Sequence, residues 1–321
     1  MKKKNRYFQI IVIVILFQSL AGCKDVPEVL TVSVTNTKVT EATAGGIVLD
    51  DFNAEVIDRG VCWSINKSPA ITDNTTHDGS GLGPFESIMS GLTSNTKYYV
   101  RAYATNSEGT GYGNDEEFTT EEIKDADGNV YTSVIIGAQV WLVENLKSTK
   151  YSNGDLIGTT TPATKDISGE SSPKYQWAYD GNESYITDYG RLYTWYATTD
   201  SRNICPTGWH VPTEAEWTTL AVYWGGAAYA APNLKESGTS HWLSYTGASN
   251  SSGFTALPGG LRWSAGEFIN MRSFGYWWTS TESSDVDAVV NYMADSGNFS
   301  SYVATNPYNK TDGCSIRCVE D

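Results

Sequence analysis

Apolar and polar positions change their period along this chain. Trp217, Leu220, Ala221 and Trp224 recur at i, i+3, i+4 and i+7, which places one apolar face on a helix. Thr213 stands ahead of that run with Glu216 three residues on. In such a pair the Thr hydroxyl accepts the Glu backbone N–H, and the Glu carboxylate accepts the N–H of the Thr, forming a capping box. Gly225 and Gly226 supply a left-handed stop. Glu214 and Glu216 resemble a pair of catalytic acids, but first-turn glutamates suit the cap and the helix dipole without any chemistry. The structural role is therefore the expectation. A second short helix is expected near Asn233–Lys235.

Upstream, from about 30 to 120, the period becomes two. "TVSVTN", "GGIVLD", "DRGVCWS" and "KYYVRAYATN" alternate between turns, the pattern of an all-β sandwich. In the last run Tyr98, Val100, Ala102 and Ala104 share one face, and Tyr99, Arg101 and Tyr103 the other. Trp63 is a core candidate, and Cys62 beside it is expected to be a free thiol. The chain contains no Arg-Gly-Asp, so integrin-type adhesion has no support. Beyond residue 122 lie ten of the chain's 11 tryptophans, among many Gly, Ser, Asn and Tyr. That composition can build an aromatic core with little regular structure. Hairpins are expected at "VYTSVIIGAQVWL", "GFTALPGGLRW" and "GYWWTST", with a terminal strand at "CSIRCVED".

The first 22 residues follow a different logic. Lys2, Lys3, Lys4 and Arg6 precede the short apolar run "YFQIIVIVILF", as in a cleaved export signal. "LAGC", ending at Cys23, resembles a bacterial lipoprotein box. That resemblance implies cleavage before Cys23 and acyl chains on its sulfur and new N-terminus, holding the protein on a membrane surface without crossing it. "CKDVPE" is only faintly similar to the acidic export signal of surface lipoproteins in Bacteroidota, because Asp25 and Glu28 are not adjacent. The outer membrane is the expected location, with its face left open and the cell surface as one option. Losing residues 1–22 removes four bases and no acid, leaving 18 basic against 37 acidic residues, a balance of −19. Such a chain is repelled by nucleic acid and by anionic lipid head groups, so membrane contact is expected through the lipid alone.

Longer stretches carry two further resemblances. "LTSNTKYYVRAYATNSEGTGYG" resembles fibronectin type III domains, with Ser94 replacing the proline of their L-x-P-x-T-x-Y corner. This implies that Tyr98 is the corner tyrosine, bonded to nearby backbone. "DADGNVYTSVIIGAQVWLVENLKSTKYSNG", "YGRLYTWYA", "CPTGWHVPTEAEW", "GFTALPGGLR", "YWWTSTE" and "SIRCVED" follow in that order. Together they resemble the Fibrobacter succinogenes major paralogous domain over residues 123–321. The resemblance implies an α+β domain with long loops and few helices, akin to C-type lectins and to the formylglycine-generating enzyme. The expected organisation is a signal at 1–22, a linker at 23–29, a fibronectin type III-like spacer at 30–120 and the lectin-like domain at 122–321.

These resemblances direct attention to particular chemistry. "DADGN" starts like a calcium loop, but the twelfth position from Asp125 is Ile136 where a bidentate Glu is needed, so a turn built on Gly128 is expected. The Glu-Pro-Asn, Gln-Pro-Asp and Trp-Asn-Asp signatures of calcium-bridged sugar binding are absent. Formylglycine-generating enzymes hold copper on a cysteine pair; here Cys314 and Cys318 lie four apart. In one strand that is about 13 Å, too far for one metal or one disulfide. Lectin-like folds bring their chain ends together beside the first helix, which implies a Cys205–Cys318 bridge, with Cys205–Cys314 as the alternative. His77, His210 and His241 have no metal spacing, and neither a G-x-S-x-G nor a phosphate loop occurs. No catalytic residue, metal or cofactor is assigned.

Ligand faces of lectin-like folds come from the second half, here residues 285–310. Tyr292, Asn298, Tyr302, Tyr308 and Asn309 are the candidates, because Tyr gives contact area at low entropic cost and Asn adaptable hydrogen bonds. The expectation is a lipid-anchored envelope protein that binds a carbohydrate or a protein partner. An enzyme on the same scaffold and a purely structural envelope protein are the alternatives.

Overall fold

A computed structural model describes residues 25–244, 247–295 and 302–321. Cys23 and Asn298 lie outside the described residues. The chain forms two compact units, one of the residues up to Thr35 with Thr43–Met89 and Tyr98–Phe118, the other of Thr119–Asp321 with Asn36–Ala42 and Ser90–Lys97. Among the described residues no helix is long and apolar enough to cross a membrane.

The first unit is built of β-strands. Glu28–Thr35, Glu41–Asp50 and Gly83–Ser90 form one sheet; Asn74–Thr75, Asp58–Ser64, Lys97–Asn106 and Gly109–Tyr112 form another, with Glu116–Thr119 also paired to Lys97–Asn106. Tyr98, Val100, Ala102 and Ala104 of "KYYVRAYATN" are all buried, as the alternation predicts, but Tyr103 of the opposite face is buried as well. Gly46 shows how closely the two sheets approach: a Cβ there would come within 2.4 Å of the Ala102 methyl. Tyr98 is buried with its ring stacked on Phe118, and Cys62 keeps a free, buried thiol.

The second unit combines short sheets with irregular chain. The expected hairpin forms from Ser133–Ile136 and Gln139–Leu142, and the latter pairs with Val319–Glu320, so the ends of this unit meet in one sheet. A five-stranded sheet has the order Gln176–Trp177, Leu192–Thr194, Gly313–Cys314, Leu261–Arg262, Phe268–Ile269. A three-stranded antiparallel sheet comprises Phe274–Glu282, Asp287–Ala294 and Ala304–Asn309. Seven of the ten tryptophans here, among them Trp141, Trp217 and Trp277, are fully buried. Trp141, Trp217, Trp277 and Phe254 pack ring to ring with centroids 5.2–5.8 Å apart.

The helix Glu214–Tyr223 carries the expected capping box. Thr213 Oγ1 accepts the Glu216 N–H, and Glu216 Oε2 accepts the Thr213 N–H at 2.7 Å. Trp217, Leu220 and Ala221 are buried, and Gly225 and Gly226 take φ of 91° and 99°, as a left-handed stop requires. The second short helix spans Ala231–Leu234.

Two expectations need correction. "CSIRCVED" is not one strand: Gly313–Cys314 belongs to the five-stranded sheet, and Val319–Glu320 to the four-stranded sheet that holds the hairpin. Between them Ile316 and Arg317 lie in neither strand and are fully buried. "GFTALPGGLRW" contributes only the two residues Leu261–Arg262 to a strand, and the rest is irregular backbone tied down by side chains.

Candidate functional site

Glu216 of the capped helix is tied to its surroundings through both carboxylate oxygens. Glu216 Oε1 lies 2.9 Å from His210 Nε2, while His210 Nδ1 lies 2.7 Å from Asp321 Oδ1. Burial works against a charged imidazole, but the bonds from Asp321 and Glu216 outweigh it and raise the His210 pKa above its ordinary value. Burial likewise opposes the charged Glu216, yet the Thr213 N–H and His210 hold its carboxyl below the usual range. Both oxygens of Glu216 are engaged in fixing the helix start.

The late cysteines are separated in the same way. Cys205 and Cys318 form a disulfide, the first of the two expected pairings, with Cα atoms 6.1 Å apart. Cys314 is a free thiol fully buried beside Leu261, Trp278 and Val290. Burial drives its pKa well above the ordinary value, so it is held as the neutral thiol. With Cys318 bonded to Cys205, the two late cysteines are not a pair of free thiols.

"DADGN" forms a turn between Ile123–Lys124 and Val130–Tyr131, with Gly128 at φ 84°. The Asp125 carboxylate accepts from the N–H groups of Asp127 and Asn129, from Asn129 Nδ2 and from the Tyr131 hydroxyl. Asp127 receives the Thr149 hydroxyl and the Lys150 ammonium. Among the described residues, no group of three or more His, Cys, Asp and Glu side chains is placed to hold a metal ion.

The candidate ligand residues have different surroundings. Tyr292 pairs with Tyr276 across the three-stranded sheet, and its ring lies 5.9 Å from that of Tyr276. Tyr292 is therefore partly buried in packing. Tyr308 sits on the same face, edge-on to Tyr276 at 5.7 Å. Tyr302 precedes the last strand of that sheet and is 40% exposed. Asn309 is exposed, and its Oδ1 accepts the N–H and hydroxyl of Thr311.

Tyr308 and Asn309 also line an open hollow of about 500 Å³, with Trp263, Asn306, Pro307 and Asp312. Trp263, 36% exposed, lies nearly parallel to Tyr308, with ring centroids 5.9 Å apart and planes 17° from parallel. The two rings stack where they line the hollow. Asp312 lies beneath it, buried, with Oδ1 accepting the Ser264 N–H at 2.8 Å. Burial pushes its carboxyl up to about 6, against the Ser264 bond and nearby Arg262. Arg262 is itself enclosed, donating to the carbonyls of Ala163 and Trp263 and stacking 4.1 Å over Trp177. It fixes the base of the hollow. Trp263 and Asp312 are absent from the candidates drawn from the sequence. The available signal was "GGLRW", where a tryptophan follows a two-residue strand and so leaves the core.

Comparisons with known proteins bear on this unit. Residues 134–320, more than half of the chain, match the Fibrobacter succinogenes major domain. The chain belongs to that family. No curated protein matches it. Among solved structures, the sensor domain of the anti-sigma factor RsgI4 from Pseudobacteroides cellulosolvens is similar at 12% identity over 30% of this chain and 96% of that one, with a TM-score of 0.24.

Proposed function

We propose that this member of the Fibrobacter succinogenes major domain family is a lipid-anchored envelope protein whose C-terminal unit binds carbohydrate in the Trp263–Tyr308 hollow. The observation that carries this is the stacked aromatic pair with a carboxylate and two carboxamides around it. A sugar ring presents a C–H face that packs on an aromatic ring, and hydroxyls around its edge that donate to oxygens such as those of Asp312, Asn306 and Asn309. The lipid would sit on Cys23, and the β-rich N-terminal unit, which resembles fibronectin type III domains, would serve as a spacer. No catalytic residue is part of this reading.

Glycan-array binding by the mature chain tests it. Specific glycans should be retained, and Trp263→Ala combined with Tyr308→Ala should abolish retention while thermal unfolding stays cooperative. Undiminished binding by that folded double variant would place the site elsewhere. The anchor is tested separately: Cys23→Ser should lose its acyl chains and leave the membrane fraction.

A further inference from the structure

A second hollow, of about 540 Å³, opens between the Thr159–Ala163 loop, the turn Tyr179–Gly181 and the strands that carry Gln176 and follow Arg191. It shares no lining residue with the Trp263 hollow. Its chemistry is also different, since Thr159, Thr161, Gln176, Asp180, Glu183 and Arg191 surround it with polar groups. Trp177, its only aromatic lining residue, is buried beneath Arg262.

Arg191 organises this cleft. Its Nε donates to the Lys147 carbonyl at 3.1 Å, its Nη1 to Gln176 Oε1 at 2.8 Å, and Nη1 and Nη2 together hold the Glu183 carboxylate. The bond from Nη1 fixes the orientation of the Gln176 amide, because only oxygen can accept it. Gln176 Nε2 therefore carries two N–H donors. Gln176 is 6% exposed and lines the cleft, and among the described residues no acceptor meets that nitrogen. That nitrogen is not among the sealed, unpartnered polar atoms of the described residues, so it opens into the cleft, where a ligand acceptor can take the place of water. Around it, Glu183 and Asp180 are exposed and offer carboxylate oxygens.

We propose that this cleft is a second ligand site, and that it takes a vicinal diol of a neutral, hydroxyl-rich molecule such as a sugar residue. A hydroxyl both accepts and donates, which is what donors at depth and carboxylates at the rim require. One hydroxyl oxygen accepts from Gln176 Nε2, its neighbour accepts from Arg191, and their protons go to Asp180 and Glu183. One cation against two carboxylates disfavours an anionic ligand, and the polar lining disfavours an aromatic one. This site does not depend on the reading of the Trp263 hollow. If both hold, one domain grips a glycan polymer at two points, and avidity exceeds either single affinity.

The test follows the Gln176 side-chain amide and the Arg191 Nε–H by NMR in the mature chain. The probes are trans-1,2-cyclohexanediol, the methyl glycosides of glucose, galactose and mannose, and glucuronate. Saturable shifts of both resonances with the diol and at least one neutral glycoside, and weaker ones with glucuronate, are expected. Asp180→Asn alters only the exposed rim, whereas Glu183→Gln also loosens the ion pair with Arg191; each should weaken that binding by at least roughly tenfold, the loss of one charge-assisted hydrogen bond. Trp263→Ala should leave these titrations unchanged whether or not the other hollow binds glycan. No saturable shift with any neutral probe, equal response to glucuronate, or wild-type affinity in both rim variants would overturn the proposal.

Discussion

Asn145 and Arg317, 172 residues apart in sequence, meet in the interior of the second unit, with Arg317 Nη2 donating to Asn145 Oδ1 at 2.9 Å. The same oxygen accepts Trp277 Nε1 at 2.8 Å, while Asn145 Nδ2 donates to the Tyr189 carbonyl. Arg317 also donates to the carbonyls of Leu142, Phe254 and Thr255, and its guanidinium lies 4.4 Å over the Phe254 ring. Burial lowers its pKa to about 9. A buried cation thus serves as the acceptor-gathering centre for irregular chain whose carbonyls have no ladder to join.

Arg317→Met tests that role, because methionine approaches the volume of arginine but donates nothing. Several buried carbonyls would lose their partner, and each stranded group costs about 1–3 kcal/mol. The expected loss is more than about 3 kcal/mol in urea-induced unfolding of the second unit. A loss below about 1 kcal/mol would show that water replaces the guanidinium without penalty.

This centre also explains which parts of the fold could be read from the chain. The capped helix was legible because its signals are local: Thr213, Glu216 and the Trp217–Leu220–Ala221 spacing lie within nine residues. The strand Lys97–Asn106 was legible for the same reason, through its alternation. "GFTALPGGLRW" and "SIRCVED" were not, because their shape is set by contacts between distant residues such as Phe254 O with Arg317. Within the hollow, Tyr308 and Asn309 could be proposed from composition. Trp263 and Asp312 gain their positions only when the strands at Arg262 and Gly313 pair.

The disulfide leads to a second prediction. It closes a sequence separation of 113 residues between Cys205, ahead of the capped helix, and Cys318, ahead of the closing strand. Disulfides typically contribute about 2–4 kcal/mol, and loop-closure entropy puts a loop this long at or slightly above the top of that range. Mass mapping of the unreduced chain should find Cys205 joined to Cys318. Cys62 and Cys314, whose thiols are buried and neutral, should resist alkylation until the chain unfolds. Rapid labelling of Cys314 in the native protein would contradict its enclosure.

The His210 contacts make stability depend on pH in two directions. His210 binds its proton more tightly in the folded chain than its ordinary value of 6.5 implies. Its stabilisation is therefore full below that value and is lost as pH rises through the raised one. Glu216 releases its proton more readily than its ordinary 4.5 implies, so its stabilisation is full above that value and is lost as pH falls through the lowered one. The contribution of this pair to melting temperature should accordingly be largest between those ordinary values and decline on both sides. His210→Asn should flatten the alkaline decline and reduce, without abolishing, the acid limb, which the Thr213 N–H still sustains.

Asp312 couples stability to binding in the opposite sense. Its carboxyl titrates at about 6 in the folded chain against an ordinary 3.8, mainly because burial disfavours the charge. The folded state thus holds the proton more tightly, and between those two values stability falls as pH rises. Above about 6 the whole penalty is carried. Asp312→Asn removes the charge while its Oδ1 can still accept the Ser264 N–H. The variant should melt at a higher temperature than the wild type at pH 7.5 and lose the slope between pH 4 and 6. A residue kept at a cost to stability implies use of its charge, as at many functional sites. In the Trp263 hollow that use is accepting ligand hydroxyls, so the more stable variant should also bind glycan more weakly. A variant with higher melting temperature and unchanged glycan affinity would leave the charge at Asp312 without a role in the hollow it underlies.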